Sequence, residues 1–225
     1  MLKIAKERLN DLYAKINESM GLFIPIKHAG EVNYAVWGEG KEVSLETLKT
    51  VKSPKDAFFP QSENLYTCVR DGKKITIEPE ALKEQNFVVF GMRACDVKGV
   101  EVLDKVFLAE PVDTFYAARR AHGTIVAMAC HEPEETCFCK VFGIDCAEPV
   151  ADVATWMVDG ELYWKALTEK GEALTAAVAS LLVDADEAKV EEEKNAIRAI
   201  VEKLPYSNLS LEGWNGDALS EKFDS

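Results

Sequence analysis

Two uninterrupted apolar runs, FVVFGM at 87–92 and TIVAMAC at 124–130, bracket helix-like sequence from about Asp96 to Leu108 and again in DTFYAARR. A strand that is apolar at every position has to be covered on both faces, and two such strands separated by helices pair in parallel through a crossover. The expectation is an α/β fold, with α+β as the alternative. It has a βαβ-type core of parallel strands, flanking β-hairpins and C-terminal helices.

The flanks read more locally. FIPIKHAGEVNYAVWG suggests two short strands about a glycine turn, and NLYTCVRDGKKITIEP a hairpin in which Asp71 and Gly72 supply positive φ. DVATWMVDGELYWKAL repeats the hairpin pattern, with Asp159 and Gly160 at its turn. TEKGEALTAAVASLL and DEAKVEEEKNAIRAIVEKL read as helices, the second charged enough to be largely solvated. Residues 1–18 carry apolar positions at Leu2, Ile4, Leu9, Leu12, Tyr13 and Ile16, expected as one exposed amphipathic helix. Residues 1–205 are expected to form a single α/β domain, and 206–225 a linker or tail.

The six cysteines gather toward the stretch from Cys95 to Cys146. No export signal precedes them, so a secreted disulfide framework is disfavoured, and clustered thiols in a cytoplasmic chain point first to metal. Cys95 follows one apolar run and Cys130 closes the other, which places both at the C-terminal ends of parallel strands, where loops converge on a site. Cys137 and Cys139 follow in the loop HEPEETCFC. Cys95 also precedes a helix N-terminus, whose free N–H groups and dipole favour a thiolate, the form that binds metal. Arg93 stands nearby, either as a hydrogen-bond donor to sulfur or in a surface salt bridge.

This spacing is neither that of a bacterial ferredoxin run nor that of paired zinc knuckles, so iron–sulfur and zinc both stay open, as do simple core thiols. Cys146 is a substitute ligand. Cys68, in mid-strand, reads as a core thiol. His28, His122 and His131 show no ligand spacing, and only His131 adjoins a cysteine. Asp113, Tyr116, Arg119 and Arg120 share adjacent helical turns and form either a polar binding face or, as the favoured reading, an ordinary solvated one. Lys55, Phe58, Phe59 and Pro60 form either a packed loop under the sheet or a partner or cofactor lip.

The formal charge of −13 would repel a polyanionic backbone, so nucleic acid is not the expected partner. The charged N-terminus lacks the apolar run of a signal peptide or membrane span. GEG at 38–40 is no phosphate fingerprint, and neither a serine elbow nor HExxH occurs.

FGMRACDVKGVEVLD, then the DTFYAARR patch, then CHEPEETCFC with FGID, resembles the N-terminal region of a family of iron–sulfur electron-transfer subunits, typified by those of anaerobic sulfite reductase and by the sulfhydrogenase beta subunit. SPKDAFFP resembles the same family's early loop. The resemblance implies a [4Fe–4S] cluster on Cys95, Cys130, Cys137 and Cys139. It also implies electron relay between a flavin-containing reductase subunit, which handles NAD(P)H, and a catalytic redox subunit, so the chain would not be an enzyme alone. Members of that family continue into a ferredoxin-like domain with two further cluster motifs, which are not credited here. The competing expectation is a structural zinc scaffold serving as an interaction domain.

Overall fold

The structure, a computed structural model, describes residues 1–213 together with Ser220 and Phe223. In chain order its elements are β1 (Leu2–Ala5), α1 (Leu9–Asn17), β2 (Gly21–His28), β3 (Glu31–Val36), β4 (Tyr66–Asp71), β5 (Lys74–Pro79), β6 (Phe87–Met92), α2 (Ala94–Phe107), α3 (Thr114–His122), β7 (Gly123–Met128), β8 (Val153–Val158), β9 (Glu161–Ala166), α4 (Glu169–Ala177), β10 (Val183–Asp184) and α5 (Ala188–Val201). One eight-stranded sheet runs β10-β1-β9-β8-β7-β6-β2-β3.

Its centre is the expected parallel core. β2, β6, β7 and β8 pair in parallel, while β3, β9, β1 and β10 extend the two sides antiparallel. Both faces are covered, which explains the unbroken apolar runs. On one face α1 and α4 bring Leu12, Tyr13, Ile16 and Leu174 against Ile24, Phe90 and Val126. On the other, α2 and α3 bring Val97, Val100 and Tyr116 against Val89, Ile125 and Ala127. Further along that second face α5 packs Val190 and Ile197 near Ala154 and Trp156. The fold is α/β. The hairpins β2–β3, β4–β5 and β8–β9 form as read, with Asp159 and Gly160 both at positive φ, although in β4–β5 the positive φ belongs to Gly72 and not to Asp71.

Four details differ from expectation. The first residues are not helical. Leu2 to Ala5 form a strand paired with β9 and β10, and the helix begins at Leu9, because Leu2 and Ile4 alternate as a strand does and Ile4 fills the sheet core. Cys68 is not a core thiol. The β4–β5 hairpin forms its own two-stranded sheet, and every residue of both strands is exposed. The α3 face is not solvated either. Tyr116 is fully buried, Arg119 is buried with a two-bond pairing to Glu63 (2.6 and 2.9 Å), Arg120 pairs with Asp104, and Asp113 caps the helix through the Tyr116 amide. Charged α5 is largely solvated as expected, but its buried stripe of Val190, Lys194 and Ile197 includes a charged residue. The Lys194 ammonium is nearly inaccessible, donates to Glu148 and Glu191, and lies 5.0 Å from the Trp156 ring centroid.

The Lys55 loop resolves to packing. Phe58 is fully buried against Phe87, Phe59 stacks on Phe107, and Lys55 pairs with Asp96. Residues 214–219 of the expected tail lie outside the described residues, as do 221, 222, 224 and 225.

Candidate metal centre

The C-terminal ends of β6, β7 and β8 open on one edge, and the chain there is bent to bring thiols together. At the end of β6 the register with β7 slips between Phe90 and Met92, and the intervening Gly91 takes φ +83. A bulge of this kind re-aims the residues that follow. Arg93 then turns into the protein and α2 starts at Ala94, with Cys95 as its second residue.

Arg93 neither bonds to sulfur nor makes a surface salt bridge. Its guanidinium is buried and donates to the carbonyls of Ala129 (2.9 Å), Leu45 (2.5 Å) and Thr47 (3.2 Å). One side chain thus ties the end of β6 to the end of β7 and to the 45–47 loop, using the planar fork that lysine lacks.

Beyond β7, the Cys130 amide donates to the Cys146 carbonyl at 3.0 Å, closing the segment between them into a loop. Within it the Cys137 amide donates to Glu134 O at 2.8 Å, and Cys139 opens a short 3-10 turn that ends at Gly143 with φ +66. α5 holds the loop from outside. Arg198 donates to Asp145 and Glu148, Lys194 to Glu148, and Lys140 pairs with Glu202, while the His131 ring is hydrogen-bonded to Glu193.

The loop and α2 enclose a cavity of about 60 Å³ lined by Cys95, Cys130, Cys137, Cys139 and Cys146. Leu48, Val201, Leu204 and Tyr206 supply apolar wall, and the charged side chains facing it are Lys49, Arg93 and Lys140. Among the described residues no carboxylate lines it, in a chain with 39 acidic and 26 basic residues. Soft sulfur donors suit a thiophilic metal group, while the cations on the rim are themselves paired, Lys49 with Glu134, Lys140 with Glu202 and Arg93 with backbone carbonyls.

The thiols associate in pairs. Electrostatically Cys95 is linked to Cys139, and Cys130 to Cys146. The Cys139 contact lowers the Cys95 thiol to about 7, burial and Asp96 working against it and the amides at the start of α2 with it. The same contact, with burial, pushes Cys139 up. Cys130 is raised by its contact with Cys146 and by burial, against the opposing charge of Arg93, and burial raises Cys137. In this paired geometry no group of three or more His, Cys, Asp or Glu side chains among the described residues is arranged to hold a metal ion. The fit therefore rests on the donors present and on their shared cavity.

The sequence pattern singled out four of these cysteines and held Cys146 in reserve, but Lys49 and Lys140 escaped it. Lys140 directly follows CFC and was open to notice, whereas nothing local marks Lys49, which comes from a separate loop. A wider cleft of about 1170 Å³ shares Leu48 and Arg93 with the thiol cavity, and charges on its wall pair with each other, Lys6 with Glu46 and Lys27 with Glu42.

Over 152 residues the chain is 29% identical to Sulfhydrogenase 2 subunit beta of Pyrococcus furiosus, a stretch covering 68% of this chain and 44% of that protein. The chain therefore spans less than half the length of this curated relative. No family model matches, and no solved structure matches. Over the aligned stretch the chain is a homologue of a sulfhydrogenase beta subunit, and the family resemblance carried by its motifs is borne out.

Proposed function

We infer that the chain is an electron-transfer module that holds one [4Fe–4S] cluster on Cys95, Cys130, Cys137 and Cys139. It relays electrons from a flavin-containing reductase subunit to the catalytic subunit of an anaerobic oxidoreductase of sulfite reductase or hydrogenase type, or in the reverse direction. The observation that carries the reading is the gathering of these thiols in one cavity whose charged lining is cationic. Kinship with a protein named as a sulfhydrogenase subunit supports the oxidoreductase setting and the expectation of partner subunits. The cytoplasm is the compartment this reading implies, and no helix among the described residues is long and apolar enough to cross a membrane.

A cluster bound here supplies one-electron chemistry. The chain's own residues do the rest. Cys95, at the start of α2, presents the thiolate of lowest proton affinity among the cysteines whose ionisation is shifted. Arg93 fixes the strand ends and the 45–47 loop around the thiols, and the apolar wall limits water.

Substitution tests the ligand set. Cys137→Ser lowers the iron content of anaerobically prepared protein, while Cys68→Ser, on the exposed hairpin, leaves it unchanged. Equal loss in both variants means that the ligands are misassigned.

A further inference from the structure

The β4–β5 hairpin takes no part in the core. Residues 61–86 are exposed without a break, and the two strands pair only with each other. Their register sorts the side chains. Tyr66 stands opposite Pro79, Cys68 opposite Ile77 and Arg70 opposite Ile75, so these six share one face, while Thr67, Asp71, Lys74, Thr76 and Glu78 share the other with Val69. The first face is apolar except for Arg70, and its Tyr66, Ile75 and Ile77 are 61, 62 and 63% exposed. A two-stranded hairpin is marginal in water unless its hydrophobic face is covered.

The hairpin is also charged oppositely at its two ends. The tip holds Arg70, Lys73 and Lys74 against Asp71, and the open end holds Glu78, Glu80 and Glu84 against Lys83. Among the described residues none of these side chains forms an ion pair, although such pairs are spread over the rest of the chain. A second copy answers both features at once. Turned about a two-fold axis at the central Cys68–Ile77 pair, the apolar face meets its own equivalent, and the cationic tip of each hairpin lies over the acidic open end of the other. We propose that the β4–β5 hairpin is a dimerisation arm, its apolar face packed on that of a second copy with the strand directions reversed. The exposed charges set the orientation more than the affinity. Six side chains from each copy are few beside the about 20–30 residues a side of a standard interface, so the dimer dissociates on dilution. No residue of the hairpin lines the thiol cavity, and the arm serves whether or not a metal group is bound.

The test is sedimentation equilibrium of the 225-residue chain over a concentration series. Wild type rises toward twice the 24.9 kDa of one chain. Ile77→Lys on the apolar face holds the mass at one chain, while Val69→Lys on the opposite face leaves the dimer intact. Reversing the tip (Lys73→Glu with Lys74→Glu) or the open end (Glu78→Lys with Glu80→Lys) raises the dissociation constant about tenfold, and all four changes together restore it. A bis-maleimide joins two wild-type chains through Cys68, as peptide mapping shows. Should Ile77→Lys unravel the hairpin, the charge exchange decides. A wild-type chain that stays monomeric throughout overturns the proposal and leaves the face to a different protein. So does a dimer that withstands Ile77→Lys, that is lost equally in Val69→Lys, or whose cross-links avoid Cys68.

Discussion

Arg198 on α5 donates from both Nε and Nη2 to one oxygen of Asp145, at 2.9 and 2.7 Å, and so fastens the residue preceding Cys146 to the helix. A third bond, Nη2 to Glu148 at 3.0 Å, doubles the attachment. The pair is partly solvated, so its worth to global stability is only about 0.5–1 kcal/mol. The local effect is larger. Arg198→Ala is expected to speed amide hydrogen exchange across 131–148 while leaving β6 and β7 protected, and added salt should narrow the difference from wild type by screening the wild-type pair.

Cys95 carries a pH signature. Its thiol is lowered to about 7, so in chelator-treated, reduced protein its alkylation rate should climb through neutral pH and level off above it, where an unperturbed thiol keeps accelerating through pH 8–9. The sign follows from the cause. The influence of Cys139 is the largest that holds the Cys95 thiol down, so Cys139→Ala moves the inflection upward. Mass-resolved alkylation across a pH series measures both.

Gly171 inverts the usual rule for a helix glycine. Alanine normally stabilises a helix interior by about 1 kcal/mol relative to glycine. In α4, however, a Cβ at 171 would sit 2.0 Å from the Asp152 carbonyl oxygen, a backbone atom held by the Leu167 amide at 2.9 Å. Gly171→Ala should therefore destabilise the chain, by about 1–3 kcal/mol in urea unfolding, through a forced separation of α4 from the start of β8.

Arg93→Lys tests the buried clamp. Lysine keeps the charge but cannot hold three carbonyls on two segments with one planar head. The expected cost is about 2–4 kcal/mol in equilibrium unfolding.

What the sequence made legible was local. The runs 87–92 and 124–130 declared a doubly covered parallel core because their side chains are apolar at both strand parities, and the turns at Gly72 and Gly160 were marked by their residue types. The convergence of Cys95 and Cys130 followed from that core, since parallel strands end on the same edge. Illegible were features set by distant partners. Leu2 and Ile4 count equally toward a helical stripe or a short strand, and only pairing with β9 decides between them. Cys68 stands between Tyr66 and Val69 as a core residue would, but burial depends on whether the hairpin joins the main sheet, and it does not. Arg119 and Arg120 looked solvated because their carboxylate partners, Glu63 and Asp104, are far away in sequence.

Whether the thiols gathered at this sheet edge bind an iron–sulfur centre is decided by quantifying iron, acid-labile sulfide and zinc in anaerobically purified protein. The expected outcome is brown protein with about four iron and four sulfide per chain and visible absorption bleached by dithionite. Colourless protein carrying about one zinc per chain and no labile sulfide would refute the cluster and leave a structural metal site in its place.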